Sequence, residues 1–447
     1  MSLLRSLPKI DTFVAHELFE GLNKTRLMRI AKEAIESLRQ EILQETCTHV
    51  DEERLRLDVK HSYDALFAPS LKPLINATGV ILHTNMGRSV LSSTLLARAH
   101  NVLCNYSNLE YNLEKGCRGE RYEHASTHLK RLLDVEDILV VNNNASAVFL
   151  VLNTFAKKKE VVVSRGELVE IGGSFRIPEV MKQSGALLCE VGATNKTKIS
   201  DYAEALNSKT TMLMKVHQSN FSIEGFSEDT PYEAIHALAT QNNLIDYYDL
   251  GSGYIPKLPY HLGANEHSLE QILSCKPSLI SFSGDKLFGS VQAGIIAGKK
   301  ELIAKLKKNQ LLRMLRVDKL TLSLLEESIK AYLKEEYESI PTLWLLFQSV
   351  EELTQRALHV RACIGETYCS VIESETYMGG GTLPNRKFPT IALHVKGKAT
   401  TLERQFRAQH VIGRIENERF LLDFRALLPQ SETALIEISK TILGITR

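Results

Sequence analysis

The sequence predicts an α/β protein: a large domain built on a mainly parallel sheet, a helical segment before it and a smaller α/β domain after it. Three observations predict this. Short apolar runs recur between residues 137 and 298, and segments of helical length separate most of them. Residues 20–45 instead carry an apolar side chain at every helical turn.

Taken in order, Leu27, Ile30, Ala31, Ala34, Ile35, Leu38 and Ile42 recur with a 3.6-residue period, which predicts an amphipathic helix. The stretch "SLKP" at 70–73 closes that part, giving an expected helical N-terminal domain over 1–72. Strands are expected at "DILVVN" (137–142), "EVVVS" (160–164), "ALLCEVG" (186–192), "TMLMKVH" (211–217), "LIDYYDLG" (244–251), "SLISFS" (278–283) and "AGIIAG" (293–298). Helical segments such as 143–157 and 229–242 lie between them, so the sheet is buried on both faces. In such sheets ligands bind at the carboxyl ends of the strands. The main domain is expected over 73–339, ending in a helical region that is basic at its start. "PTIALHV", "ATTLERQFRAQ" and "RFLLDFRAL" then restore a strand and helix pattern, giving a small domain over 340–447.

The 447 residues suffice for two or three domains, and 44% hydrophobic with 24% charged residues is the balance of an ordinary soluble protein. A formal net charge of +1 argues neither for nor against a polyanionic partner. Seven cysteines are scattered without any CxxC pair, which suggests reduced thiols in a cytosol and no metal site. No apolar run is long enough to cross a bilayer, and the apolar core of "MSLLRSLPKIDTF" is too short for a secretory signal. A cytoplasmic location is expected.

The stretch "SFSGDKLFGSVQAG" (281–294) sets Lys286 between an apolar run and a string of small residues. One reading is a solvated lysine that ends a strand. The other is an amine held covalently by pyridoxal phosphate, which asks for companions at neighbouring strand ends. Asp249 in "YYDLGSG" supplies a carboxylate for the pyridine nitrogen, keeping the ring an electron sink. Ser252 in the same stretch is a further cofactor-binding candidate. "VVNNNASAV" leads a strand into a helix, so Asn143, Asn144 and Ala145 are candidates for phosphate binding. Ser283 adds a hydroxyl for the phosphate, and Asn220 in "HQSN" is a candidate partner for a cofactor oxygen. A group within 164–167 is the candidate to stack on the ring. Each feature alone has a plain structural reading as a cap, a turn or a solvated side chain. Their combination at four strand ends is what points to a cofactor site.

Over essentially the whole chain these residues resemble bacterial selenocysteine synthases, the L-seryl-tRNA(Sec) selenium transferases. The resemblance rests on "LLRSLPKID", "INATGVILHTNMGRSVLS", "VVNNNASAV", "VSRGELVEIGGSFRIPEVMKQSGA", "VGATNKT", "YDLGSG", "FSGDK", "QAGIIAGKKELIAKLKKN" and "LLRMLRVDKLTL". It implies the aspartate aminotransferase-like fold of fold type I pyridoxal phosphate enzymes, with Lys286 as the cofactor lysine. It also implies the reaction. Serine esterified to tRNA(Sec) loses water to leave an aminoacrylyl-tRNA, and selenium from selenophosphate adds to it. The resemblance further implies a homo-oligomer based on dimers, in a larger ring.

Selenophosphate is a small polyanion, for which guanidinium forks are suited. Arg313 and Arg316 are three apart, an expected shared helix face, and Arg88 in "TNMGR" joins them at the family's anion-binding positions. The plain alternative for the pair is a solvated basic face. Residues 299–319 hold eight Lys or Arg against two acids, a local charge of +6 suited to attracting selenophosphate or tRNA phosphates. The family places tRNA binding largely in the N-terminal domain. Residues 1–70 here carry ten basic and twelve acidic side chains, so only the patch Lys24, Arg26, Arg29 and Lys32 favours it electrostatically. No DNA or membrane partner is expected.

The sequence departs from the family's usual pattern at Ser290 and Val291 after the lysine, and at Cys117 and Glu120. A rival reading is a pyridoxal phosphate-dependent lyase or β-replacement enzyme acting on a small free amino acid. The N-terminal helical segment argues against it. A non-catalytic tRNA-binding scaffold is the other rival, and an intact Lys286 and Asp249 argue against that.

Overall fold

The computed structural model describes residues 3–171, 175–223, 225–264 and 266–445. The chain divides into two compact units, Met1–Pro73 and Leu74–Arg447.

The first unit is built around helices α1 (Lys24–Leu43) and α2 (Glu52–Phe67). Each starts at a side-chain cap: Asn23 accepts from the Arg26 N–H and Asp51 from the Arg54 N–H. Leu27, Ala31 and Ile35 face inward one turn apart and pack with Phe13, Phe19, Leu55, Val59 and Tyr63. The Tyr63 hydroxyl accepts from the Asn23 N–H at 2.8 Å, so α2 also braces the start of α1.

In the second unit, seven strands form one sheet: β1 (Asp137–Val141), β2 (Glu160–Ser164), β3 (Leu187–Val191), β4 (Thr210–Val216), β5 (Ile245–Ser252), β6 (Leu279–Ser283) and β7 (Gly294–Gly298). Their spatial order is β1-β7-β6-β5-β4-β2-β3, and only β7 runs antiparallel to its neighbours. All seven expected strands are present, within about a residue at each end. Fully buried parallel strands are nearly all apolar, which is why they stand out in the sequence. Helices α3 (Asn144–Phe155), α4 (Lys300–Lys308) and α5 (Lys319–Leu333) follow, and two apolar cores lie against the sheet.

A separate antiparallel sheet follows: β8 (Cys369–Gly379), β9 (Thr382–Val395), β10 (Arg414–Glu416) and β11 (Arg419–Asp423), ordered β8-β9-β11-β10. Helices α6 (Val350–Ile364), α7 (Ala399–Ala408) and α8 (Glu432–Leu443) supply its core with Leu353, Phe406 and Leu435. The segment 75–82 belongs with this layer. Ile75 and Asn76 pair in parallel with Val411 and Ile412, and the Leu82 N–H donates to Met378 O at 2.9 Å. That stitching carries the chain from the small sheet toward Arg88. Among the described residues, no helix is long and apolar enough to cross a membrane.

Candidate active site

The carboxyl ends of β1, β4, β5 and β6 converge on a cavity of about 330 Å³. Lys286, Asp249, Asn143, Asn144, Ala145, Ser283 and Arg88 line it, together with His217, Ser219 and Gln292. Local structure explains each position. Asn143 caps α3, its Oδ1 accepting from the Ser146 N–H at 2.8 Å, so the first turn of that helix opens on the cavity. β7 runs directly behind this turn. A Cβ on Gly294 would lie 2.1 Å from Asn143 O, so only glycine allows the approach.

Asp249 sits where the β5–β6 register is interrupted, between Asp249 and Gly251. The irregularity turns its carboxylate to Asn144, whose Nδ2 donates to Oδ1 at 2.7 Å. Burial pushes the Asp249 carboxyl up, against the opposing pull of Asn144, Lys286 and His217.

Lys286 lies in the reversal between β6 and β7. The Gly289 N–H donates to its carbonyl at 2.8 Å, and the Gly284 N–H donates to Ala293 O at 2.8 Å. The side chain is buried. Burial pulls its ammonium below the ordinary lysine range; Asp249, Asp285 and Glu266 oppose this, while Arg88 adds to it. An amine so placed loses its proton more readily than a solvated lysine, and the unprotonated form is the one that attacks a carbonyl or accepts a proton.

Four expected cofactor or anion residues lie elsewhere. Ser252 is buried and donates to Glu266 Oε1 at 3.3 Å, so it supports a neighbouring carboxylate and does not line the cavity. Asn220 is turned away, its Nδ2 donating to Glu170 O at 2.6 Å. Arg313 and Arg316 share no helix face. The helix Leu312–Leu315 is a single turn, and Arg316 is already extended at φ −72°, ψ 139°. Asp318 begins the next helix as its cap, which forces that break. The two arginines still share a cavity of about 390 Å³ with Arg118, Arg121, Lys307 and Lys308, but it is not the Lys286 cavity. Glu110 pairs there with Arg121 at 2.9 Å and Arg316 at 3.5 Å. In the first unit, Lys24, Arg26, Arg29 and Lys32 are all exposed on α1.

No residue of 164–167 lines the Lys286 cavity. His217 does, with its Nε2 2.9 Å from Glu266 Oε2. Sequence reasoning passed over His217 and Ser219 although both stand in "HQSN", and it had no route to Glu266, 49 residues further on (266 − 217). The departures at Ser290 and Val291 are absorbed by packing: the Ser290 hydroxyl donates to Ser328 Oγ at 2.7 Å, and Val291 packs against the core.

Three polar atoms at this cavity are buried without a partner among the described residues: Asn144 Oδ1, His217 Nδ1 and Ser219 Oγ. Buried polar groups are normally paired, so three orphans around one lysine mark a place where a polar ligand completes the set.

A family model described as SelA: L-seryl-tRNA selenium transferase matches residues 74–428. The L-seryl-tRNA(Sec) selenium transferase of Aliarcobacter butzleri is 57% identical over 451 residues, covering 100% of each chain. That of Sulfurimonas denitrificans is 54% identical over 449 residues, again covering 100% of each. Among solved structures, D-glucosaminate-6-phosphate ammonia-lyase is similar in fold, with a TM-score of 0.60 at 18% identity over 85% of this chain and 98% of the other.

Proposed function

Since the chain belongs to the L-seryl-tRNA selenium transferase family, we propose that it converts L-seryl-tRNA(Sec) to L-selenocysteinyl-tRNA(Sec), with pyridoxal 5′-phosphate as cofactor. The observation that carries this reading is the meeting of Lys286 and Asp249 in one cavity with three unpartnered polar atoms.

The residues present fit that cofactor. Lys286 offers the amine, Asp249 a buried carboxylate for a ring nitrogen, and the first turn of α3 with Ser283 offers donors for a phosphate. When bound, pyridoxal phosphate supplies the electron sink that acidifies the α-proton of the seryl ester and lets the β-hydroxyl leave. The chain's own groups do the rest. Lys286 Nζ would hold the cofactor, and its amine is the group placed to take the α-proton, a role worth about 10²–10⁴-fold in rate. Asn144 holds Asp249 in place through its 2.7 Å hydrogen bond. Overall, the β-hydroxyl would leave as water, selenophosphate would add to the β-carbon through selenium, and hydrolysis of its Se–P bond would release phosphate and give the selenol.

Arg88 is the arginine of the anion set that lines the Lys286 cavity. Arg313 and Arg316 are held in a second cavity, so a dimer-based homo-oligomer joining the two cavities across a subunit boundary is part of this reading. Lys24, Arg26, Arg29 and Lys32 are the tRNA-binding patch of the N-terminal unit. A tRNA substrate places the work in the cytoplasm.

The test is the visible spectrum of the cofactor-loaded protein, titrated separately with free serine and with seryl-tRNA(Sec). A change in the cofactor band with the charged tRNA alone is expected. A response to a small amino acid and none to the tRNA would move the activity to the small-molecule lyases.

A further inference from the structure

Asn220 turns away from Lys286, but its neighbour Ser219 does not. Ser219 is 2% exposed and its hydroxyl has no partner. Two glycines from different sheets border the same gap. A Cβ on Gly251, in β5, would lie 3.9 Å from Lys286 Nζ and 3.9 Å from Ser219 Cβ. A Cβ on Gly381, in the β8–β9 turn, would lie 3.8 Å from Ser219 Oγ and 3.9 Å from Lys286 Nζ.

Gly381 ends a run of three glycines, and the other two have a packing reason to be glycine. A Cβ on Gly379 would meet Val80 Cγ1 at 2.4 Å, and one on Gly380 would meet Leu82 Cβ at 2.9 Å. Nothing crowds Gly381 in that way. Its positive φ of 65° favours glycine, although Leu383 and Asn385 at the start of β9 hold φ of 50° and 58° with side chains attached. A Cβ on Gly381 would stand only in ordinary contact, so among the described residues the space beside it is open toward Ser219 Oγ and Lys286 Nζ.

We propose that the gap bounded by Gly251, Gly381, Ser219 and Lys286 seats the side chain of the reacting aminoacyl group. It is sized for one small hydroxyl-bearing substituent, with Ser219 Oγ as the hydrogen-bond partner of that hydroxyl. Ser219 and Gly381 are then specificity-determining residues, an inference that rests on Lys286 being the reacting lysine.

The test compares wild type with G381A, G381N, S219A and the control G444A, which adds a Cβ at a φ of 67° where no atom of the described residues lies within 4 Å. kcat/KM is measured on tRNA(Sec) charged with serine or with threonine, and the cofactor band monitors loading. Wild type is expected to reject the extra methyl of threonine by roughly 10–200-fold. G381A should lower kcat/KM for the seryl substrate by about tenfold and G381N by more, with the cofactor band retained. Asparagine tolerates positive φ better than alanine, so this is the order of size and not of strain. S219A should cost about tenfold with loading unchanged, on the scale of one hydrogen bond removed.

G381N more active than G381A, Gly381 variants no worse than G444A, or S219A with unchanged kcat/KM would each overturn the proposal. S219A adds no atom, so it decides alone if the Gly381 variants fail to fold. A wild-type protein without any cofactor band would overturn the reading of Lys286 itself, whereas a normal band with the wrong order of variants overturns only the assignment of the gap.

Discussion

Arg88 Nη1 donates to Asp285 Oδ2 at 2.7 Å, and Asp285 immediately precedes Lys286. The guanidinium is thereby fastened to the turn that carries the amine. Arg88 itself sits at φ 61°, an uncommon left-handed position for arginine, with its N–H donating to His83 O at 3.1 Å. Strain of this kind is kept where the surroundings over-determine it, commonly at functional sites.

After burial and Asp249, the pair adjusts the charge state of Lys286 from both sides. Burial already pulls the amine down; Arg88 pulls it further, and Asp285 pushes it up. Capture of pyridoxal phosphate by cofactor-free protein needs the unprotonated amine. R88A removes a cation, so its pH midpoint for capture should move up. D285N removes an anion and frees the guanidinium, so its midpoint should move down. Absorbance titrations over pH measure both, and coincident midpoints in the three proteins would sink the idea.

The central sheet was open to sequence reading because its strands, apart from the partly exposed edge strand β3, are buried on both faces and so appear as apolar runs. The same logic placed Lys286, Asp249 and Asn144 at strand ends that could open on one crevice. What failed was local geometry beyond the strands. The spacing of Arg313 and Arg316 means one face only while a helix continues, and the cap at Asp318 ends it. In "HQSN" neither periodicity applies, so which of Ser219 and Asn220 points inward was not written in the pattern. Glu266 meets His217 through tertiary folding alone, and no spacing rule reaches it.

Two cavities in one chain make a mixing experiment decisive. K286A is expected to lose at least about 10²-fold in activity, and R313A/R316A to lose selenium transfer. Each mixed dimer, formed after dissociation and reassociation, would hold one intact site if the arginines act across a subunit boundary. Random pairing then restores about a quarter of wild-type activity. No recovery, with mixed dimers demonstrated, would place the Lys286 and Arg313 functions within one subunit.

The four cations on α1 make a salt-dependent prediction. Lys24, Arg26, Arg29 and Lys32 are exposed, and of these Arg29 lies 3.8 Å from Glu33. Replacing them with alanine should weaken tRNA binding and flatten its salt dependence by about 0.7–0.9 for each phosphate no longer neutralised. Filter binding across a salt series measures this. Weaker binding with an unchanged slope would mean that the patch shapes the domain and does not touch phosphate.

Beside the cavity, buried Glu167 and Lys215 and exposed Asp229 form a cluster with two carboxylates for one ammonium. Lys215 Nζ lies 3.0 Å from Glu167 Oε1 and 2.8 Å from Asp229 Oδ2. Glu167 Oε2 also accepts the Val216 N–H at 2.8 Å, fixing the end of β4 where Val216 and His217 meet the cavity. Burial pushes Glu167 from its ordinary 4.5 up to about 7. Burial alone would pull Lys215 down, but Glu167 and Asp229 more than reverse it. The two directions are consistent: Asp229, whose side chain is 63% exposed, pairs with Lys215, and its negative charge joins burial in raising Glu167. Between pH 4.5 and 7 the folded protein therefore holds a proton on Glu167 that the unfolded chain has released. Its contribution to stability is complete below the unfolded value and is lost as pH rises through that window. Relative to E167Q, which cannot ionise, wild type should lose on the order of 1–3 kcal/mol across it. Urea denaturation of both proteins at closely spaced pH values reads this difference directly. A difference that stays level, or that grows in favour of wild type as pH rises, would show that Glu167 is charged throughout and that Lys215 neutralises both carboxylates.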